Sequence, residues 1–385
     1  MYTKHLLYSL ITATCFTSVS FAQMGGNYKW NNPSSSLPSG CTHGTYHSDL
    51  MNVDVGYNVY LPPDYDNDDD RYPVIYSLHG MSGNEGSNCA TFAPVLKDGI
   101  TSNSFPPVIM VFVSGRGNTF YSDSKDGTIK GESTIIDELV PYIDKTYRTK
   151  ADRTRRGVEG VSMGGFGALM LGFKHPDIFG SIASYDAALV NWDTLSQQQF
   201  DQSIPKSIFG SDRDYFNSQS YPFTFAKRNA DTIKALGIKV RMITGDNDMQ
   251  MGPLYYYNLA MRDTLKALGI PLDMKIIPGG THGKGMNATT AKENMIFHTD
   301  NFSNAPTGTI SRQHASAATL SDPSWCTAFQ LTPSTVDGYD AGIIYNLLGR
   351  SVGRRAGMSN GSVRTIGSGL YLIKTANRGS ANIIH

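Results

Sequence analysis

The sequence has no excess of charge of either sign and no long apolar run beyond its amino end. Its 33 Lys and Arg residues balance 33 Asp and Glu residues in a chain of 385, so the formal net charge is zero. Binding of nucleic acid or of an anionic membrane surface depends on concentrated positive charge, so we expect neither as a partner. No stretch after residue 22 has the roughly 20 apolar residues of a membrane helix, so no membrane span is expected in the mature chain.

The amino end has the pattern of a secretory signal peptide. Lys4 precedes an apolar run from Leu6 to Phe21, which closes on the small-x-small pattern Ser20-Phe21-Ala22. A membrane anchor is the alternative, but the run contains Thr and Ser and is followed by polar residues rather than a basic stop. We therefore expect a signal peptide over residues 1–22 and a secreted or outer-surface protein.

Cysteines are scarce, and no cofactor pattern is present. Removal of the signal peptide would leave Cys41, Cys89 and Cys326, which permit one disulfide, and Cys41 with Cys89 is the first pair to consider. The acidic loop from residue 64 to 70 lacks the ligand spacing of an EF-hand and is typical of a solvated turn. Neither a metal nor an organic cofactor is expected.

Strand-type and helix-type patterns alternate over most of the chain. Residues 53–61 alternate apolar and polar positions as in a half-buried strand, whereas 72–78 and 108–113 are continuously apolar, as in covered parallel strands. The patterns also predict strands at 156–159, 181–185, 238–244 and 272–277, and helices at 132–147, 226–236, 255–268 and after Gly164 as far as His175. Residues 190–223 are interpreted as an irregular insertion over the site. Such alternation predicts an α/β domain with a mostly parallel sheet and helices on both faces.

The composition changes near the carboxyl end. Residues 303–322 are rich in Ser, Thr, Ala and Pro, which is typical of a linker. Residues 323–385 contain short β-type runs at 342–348 and 370–375, separated by turns rich in Gly and Ser. We therefore predict a main domain over 23–302, a linker over 303–322 and a small β-sandwich module over 323–385.

Gly160-Val161-Ser162-Met163-Gly164 is the motif around which the main domain is organised. A Gly-x-Ser-x-Gly run between a strand and a helix forms a tight turn that presents the serine at an exposed, strained apex. The flanking patterns predict that strand and that helix. Ser162 is therefore the predicted nucleophile. Glu159, just before the motif, is interpreted as a buried structural carboxylate satisfied by nearby backbone or by Arg155 or Arg156.

A serine nucleophile needs a histidine base and a carboxylate that orients it, in the chain order Ser, acid, His for this motif. His282 follows the last apolar strand in a glycine-rich loop and is the predicted base, whereas the later His298 and His314 lie on a predicted helix and in the linker. Asp248 is preferred as the acid.

Two other carboxylates stay open as the acid. Asp246 follows Gly245 directly and is suited to bracing its own turn, and Asp186 follows the strand after the motif and could instead contact substrate or a loop.

Two backbone N–H groups should hold the oxyanion that forms when serine attacks a carbonyl. The motif predicts Met163 as one donor, and the loop His79-Gly80-Met81 after an apolar strand predicts Met81 as the other. Aromatic side chains that could stack on a phenolic ring are also present. These are Phe120, Tyr121, Tyr185 and Trp192.

These motifs together resemble the α/β-hydrolases of carbohydrate esterase family one, the esterase D-like enzymes that include feruloyl and acetylxylan esterases, S-formylglutathione hydrolases and mycolyl transferases. The resemblance covers most of residues 50–300. It implies Ser162, Asp248 and His282 as the triad and Met81 and Met163 as oxyanion donors. It further implies a secreted enzyme that removes feruloyl or acetyl groups from plant cell-wall polysaccharide such as esterified xylan.

The carboxyl end carries a second resemblance. The runs Tyr345–Arg350 and Gly369–Lys374 are similar to the sorting modules of type IX secretion, which implies that secretion machinery is a partner. Two other functions stay open at this stage. An acyltransferase of the mycolyl-transferase type would use the same triad, and a non-catalytic carbohydrate-binding or adhesion protein would explain secretion and the tail.

Overall fold

The computed structural model describes residues 29–189, 197, 201, 204–249 and 253–304, together with the backbone of four strands between residues 343 and 384. The chain divides into two compact units, Met1–Ser311 and Arg312–His385. The predicted signal peptide, most of the predicted linker and Trp192 lie outside the described residues.

The first unit is built on one eight-stranded sheet with the order β1-β2-β4-β3-β5-β6-β7-β8. Its strands are Cys41–Ser48 (β1), Val53–Tyr60 (β2), Val74–Leu78 (β3), Ile109–Val113 (β4), Arg156–Val161 (β5), Ser181–Tyr185 (β6), Lys239–Gly245 (β7) and Leu272–Ile277 (β8). β2 is antiparallel to β1 and to β4, and every other neighbouring pair is parallel. The predicted mostly parallel sheet is confirmed.

Helices cover both faces of this sheet. They are Cys89–Thr101 (α1), Val140–Thr146 (α2), Met163–Lys174 (α3), Lys206–Phe209 (α4), Arg213–Gln219 (α5), Pro222–Arg228 (α6), Ala230–Ala235 (α7), Leu254–Ala267 (α8) and Ala288–Asn304 (α9). Tyr76 on β3 packs in one apolar cluster with Phe166 of α3, while its neighbour Ile75 packs in a second cluster with Phe92 of α1 and Met295 of α9. Because successive strand residues point to opposite faces, these clusters are the two halves of the core.

Three predicted segments differ from the structure. The helix predicted at 132–147 begins with a π-helical turn, Thr134–Leu139, because Pro141 has no N–H to donate and its ring crowds the preceding turn. The helix predicted at 226–236 is two short helices, α6 and α7. Much of the segment predicted to be irregular is helical from residue 206 onward, in α4, α5 and the start of α6.

Cys41 and Cys89, the first pair to consider for a disulfide, are both free thiols in the structure. Cys89 is buried in the cluster beneath α1, and Cys41 on β1 packs against the same cluster. The neighbouring Cys89 thiol, together with burial, raises the pKa of the Cys41 thiol. The two thiols are therefore close enough to interact.

The second unit is described only by its strands. Ile343–Asn346 (β9), Ser351–Arg354 (β10), Tyr371–Lys374 (β11) and Ala381–Ile384 (β12) form an antiparallel sheet in the order β10-β9-β11-β12. β9 and β11 fall within the two runs predicted to be β-structure. The rest of the predicted sandwich lies outside the described residues. Among the described residues, no helix is long and apolar enough to cross a membrane.

Candidate active site

Ser162 stands at the turn between β5 and α3, as the motif predicts. Its backbone has φ of 58° and ψ of −117°, a strained conformation for a residue with a side chain. The turn is held by a hydrogen bond of 2.8 Å from the Ser162 N–H to the carbonyl of Tyr185 on the neighbouring strand. A Cβ atom at Gly160 or Gly164 would overlap nearby backbone atoms, so both positions require glycine.

Ser162, His282 and Asp248 form a continuous hydrogen-bonded chain. The Ser162 hydroxyl lies 2.8 Å from Nε2 of His282, and Nδ1 of His282 lies 2.9 Å from Oδ2 of Asp248. Because a carboxylate can only accept, Nδ1 carries the proton and Nε2 is free to accept the serine proton. Asp248 is fully buried, while Ser162 and His282 are slightly exposed at the carboxyl edge of the sheet.

The structure distinguishes the three carboxylates that the sequence left open as the acid. Only Asp248 bonds to the imidazole of His282. Asp246 accepts the N–H of Gly279 at 2.7 Å and so braces the turn between two loops. Asp186 accepts three backbone N–H groups, from Gly245, Gly283 and Gly285.

The loop His79-Gly80-Met81 passes directly beside Ser162. A Cβ atom built on Gly80 would lie 3.6 Å from the Cβ of Ser162. Met163 is the first residue of α3, so its N–H lacks a partner within the helix's own hydrogen-bond ladder. The two predicted oxyanion donors therefore follow the ends of β3 and β5, which are neighbouring strands of the sheet, and both segments lie beside Ser162.

His79 fixes the shape of this loop, a role that the sequence analysis did not assign. Its Nδ1 donates to the carbonyl of Gly80 at 2.7 Å, and its Nε2 accepts the N–H of Gly115 at 2.9 Å. Burial lowers the pKa of His79 to about 4, although the bond to Gly80 opposes the shift. The imidazole is thus neutral at pH 7 and joins two loops. The sequence feature that could have indicated this role is the position of His79 directly after a buried strand.

The predicted aromatic contacts to substrate are wrong for three of the four residues. Phe120, Tyr121 and Tyr185 are all 0% exposed, so no ligand can stack on their rings. The Tyr121 hydroxyl donates to the carbonyl of His79 at 2.8 Å and so helps to hold the loop beside Ser162. Trp192 lies outside the described residues.

Exposed apolar side chains occur instead on the segments that adjoin Asp248. Met249 and Tyr256 are 55% and 53% exposed. The N–H of Tyr255 donates to the Asp248 carbonyl at 3.1 Å, and the rings of Tyr255 and Tyr256 meet edge to face with centroids 5.2 Å apart. No group of His, Cys, Asp and Glu side chains in the described part of the chain could hold a metal ion.

Solved structures with related folds cover most of the chain. A ferulic acid esterase superposes with a TM-score of 0.57 over 69% of this chain and 100% of its own, at 24% identity. An S-formylglutathione hydrolase from Agrobacterium tumefaciens superposes with a TM-score of 0.55 over 71% of this chain and 99% of its own, at 17% identity. At these identities the comparisons show the α/β-hydrolase fold.

Sequence comparison identifies relatives that are longer than the matched region. A protein of Xylanibacter ruminicola called endo-1,4-beta-xylanase/feruloyl esterase is 31% identical over 197 residues, which are 49% of this chain and 26% of that protein. An esterase of Mycobacterium tuberculosis is 34% identical over 158 residues, which are 38% of this chain and 34% of that protein. The matches thus span about a quarter to a third of those relatives' lengths. The model of the family described as "Putative esterase" matches residues 48–254, more than half of the chain, and the chain belongs to this Esterase family.

Proposed function

We propose that the chain is a serine ester hydrolase in which Ser162, His282 and Asp248 act as a catalytic triad. The observation that carries this proposal is the chain of hydrogen bonds of 2.8 and 2.9 Å that links the three side chains at a strained serine turn. A buried core has no need of such an arrangement, whereas acyl transfer needs each of its parts. Membership of the Esterase family supports the same reaction class.

Each side chain has a defined part in the proposed reaction. The Ser162 oxygen attacks the ester carbonyl while His282 Nε2 takes its proton, and the backbone N–H groups of Met81 and Met163 stabilise the oxyanion. His282 then protonates the leaving alkoxide, which leaves an acyl group on Ser162. His282 next activates water, which releases the acid. Asp248 orients the imidazole and stabilises its charged form.

The proposed substrate is a feruloyl or acetyl ester on plant cell-wall polysaccharide such as xylan. Support comes from the relative called xylanase/feruloyl esterase and from the fold shared with a ferulic acid esterase. Met249 and Tyr256 offer exposed apolar surface on the segments adjoining Asp248, where a phenolic or sugar ring could bind. The sequence patterns of a signal peptide and of a sorting module support a secreted or surface-bound enzyme that uses a dedicated secretion system.

The test measures ferulic acid released from methyl ferulate and acetic acid released from acetylated xylan by the purified full chain. Ser162→Ala should lower either activity by roughly a millionfold, to the limit of detection, because the nucleophile is lost. Ser184→Ala is the matched control. Ser184 is a fully buried serine on the adjoining strand β6, and its hydroxyl makes no hydrogen bond within the described residues.

The products distinguish the remaining possibilities. Release of ferulate assigns a feruloyl esterase, and release of acetate alone assigns a deacetylase with a small acyl pocket. Transfer of the acyl group to an added sugar would instead indicate an acyltransferase. Hydrolysis that persists in Ser162→Ala would contradict the triad assignment, and a folded protein that releases neither acid would contradict the proposed substrates.

A further inference from the structure

Asp186 occupies the centre of the loops that carry the candidate catalytic residues. It follows β6 directly, is 0% exposed, and has φ of 43°, which is uncommon for a residue other than glycine. Its own N–H donates to the carbonyl of Ile243 on β7 at 2.8 Å. Strain of this kind persists only where surrounding contacts hold it, and it occurs often at functional sites.

The Asp186 carboxylate joins two loops that are distant in sequence. Oδ1 accepts the N–H of Gly245 at 2.9 Å, at the end of β7, from which the loop to Asp248 begins. Oδ2 accepts the N–H groups of Gly283 and Gly285, each at 3.0 Å. Gly283 is the residue directly after His282. The carboxylate thus anchors the backbone of both the acid loop and the histidine loop.

The surrounding backbone is shaped to admit this carboxylate. A Cβ atom on Gly285 would lie 2.8 Å from Oδ2 of Asp186, so any side chain there would displace the oxygen. The two loops also contact one another, since the N–H of Asn247 donates to the carbonyl of Gly280 at 2.9 Å. Two residues after Asp186, the N–H of Ala188 donates to the carbonyl of Ser162 at 2.9 Å. One short segment therefore contacts the loops of all three members of the proposed triad.

We propose that Asp186 is a positioning residue for the ester hydrolysis proposed above, on which this inference rests: it holds the His282 loop in register with Ser162 and Asp248, and its charge stabilises the imidazolium that forms during the reaction. Within the described residues the hydrogen bonds of Asp186 all go to backbone groups and none to the imidazole or the Ser162 hydroxyl, so it acts through the backbone and through its electrostatic field.

The charge on Asp186 lies close to the groups that react. Burial raises the pKa of Asp186, while the N–H groups of Gly245 and Gly285 and the positive form of His282 lower it, and the carboxylate of Asp248 raises it. Asp248 and His282 are thus ionisable side chains whose charge acts on Asp186, and Lys284 in the His282 loop is exposed to solvent. A negative Asp186 and a positive imidazolium at His282 therefore attract one another.

The experiment compares the full-length wild type with Asp186→Asn and Gly285→Ala, using p-nitrophenyl acetate as the probe ester from pH 4.5 to 9. Asparagine keeps the shape but removes the charge and turns one acceptor into a donor. We expect roughly 10- to 100-fold lower kcat with little change in KM, the size of effect that misplacement of a catalytic group produces. The acid limb of the kcat/KM profile should also move to lower pH, because the imidazolium loses a neighbouring negative charge.

Gly285→Ala distinguishes the effect of the position of the Asp186 carboxylate from the effect of its charge. The new methyl group displaces the carboxylate but leaves it ionised, so kcat should fall while the acid limb stays close to that of the wild type. Glu159→Gln controls for replacing a buried carboxyl by its amide elsewhere in the sheet: within the described residues Glu159 makes its hydrogen bond to Asn294 and none to the His282 loop, so its profile should follow the wild type.

The outcomes distinguish this inference from the proposed function. If the wild type shows no hydrolysis that depends on Ser162, the proposed function fails and this inference fails with it. If the wild type is active but both variants keep wild-type kcat, or if Asp186→Asn leaves the acid limb in place, only the positioning role of Asp186 is overturned. Should Asp186→Asn not fold, the kcat of Gly285→Ala decides the question.

Discussion

Two buried ionisable side chains near the serine turn, Glu159 and His298, have no part in the proposed reaction. Glu159 lies on β5, three residues before Ser162, and is 0% exposed. Burial raises its pKa to about 8, against a bond to the amide of Asn294 that lowers it. His298 lies 3.8 Å away, and burial, followed by the charge of Arg241, lowers its pKa to about 3. Both groups are therefore mainly neutral at pH 7, and their contact is not an ion pair.

The expected partners of Glu159 are wrong for a physical reason. The partners predicted from sequence are backbone, Arg155 or Arg156, but the Arg156 guanidinium pairs with Asp144 at 2.6 Å. Arg156 and Glu159 are separated by an odd number of positions along β5, so their side chains point to opposite faces of the sheet. The amide of Asn294 on α9 contacts the Glu159 carboxyl instead.

Glu159→Gln should make the protein more resistant to alkaline conditions. The folded protein holds a proton on Glu159 up to about pH 8, whereas the unfolded chain loses it near pH 4.5. The wild type therefore loses stability as pH rises through this range, by at most ~1.4 kcal/mol per pH unit, and glutamine, which cannot ionise, removes this loss. Urea unfolding of both proteins at pH 5, 7 and 9 measures the difference.

The free energies of unfolding of the two proteins are compared at the same pH, so the contributions of all other titrating groups cancel in the difference. The variant should be close to the wild type at pH 5 and clearly more stable at pH 9. An offset between the two proteins that stays constant from pH 5 to pH 9 would contradict the protonated state of Glu159.

At the scale of elements, the strand, turn and helix around Ser162 are packed against β3 without spare space. A Cβ atom on Gly164 would overlap the carbonyl of Leu78, the last residue of β3. That contact lets the start of α3 lie directly over the end of the neighbouring strand. The glycines of the motif are thus needed for packing between elements as well as for the turn itself.

Gly164→Ala should therefore destabilise the whole first unit. The methyl group meets backbone atoms that cannot rotate away, so we expect a loss of about 3 kcal/mol or more. Gly80→Ala is the control, since its Cβ would meet nothing closer than 3.6 Å. Its stability should stay within about 1 kcal/mol of the wild type. Equal unfolding midpoints for the two variants in urea would contradict the close packing of the serine turn against β3.

Helices and strands were predictable from sequence where a single local pattern was enough to identify them. The apolar runs of β3 and β4 and the glycine pattern before α3 predicted their strands and helix to within two residues. The aromatic side chains of Tyr121 and Tyr185 were placed wrongly because the exposure of a ring depends on long-range packing, which local sequence does not contain. Asp186 was noted only as a possible loop contact for the same reason, since its three partners lie about 60 to 100 positions further along the chain.

At the scale of the whole molecule, the alternation of strands and helices was enough to predict a parallel α/β sheet. The strand order and the division of the core into two clusters were not predicted, because both depend on which strands pair. The carboxyl edge of that sheet collects the ends of β3, β5, β6, β7 and β8, so the candidate site needs residues from positions 79 to 282. The match to the Esterase family covers residues 48–254, which include Ser162 and Asp248, whereas His282 lies beyond it.

Removal of residues 312–385 should leave hydrolysis of small esters intact. Ser162, His282 and Asp248, and the loops that hold them, all belong to the unit Met1–Ser311. A unit with its own two-sided core is expected to fold alone, so kcat for methyl ferulate should stay within about twofold of the full chain. The same truncation carrying Ser162→Ala is the blank. A folded truncated protein that had lost its Ser162-dependent activity would mean that the second unit contributes to the site, because every other part of the proposed machinery would still be present.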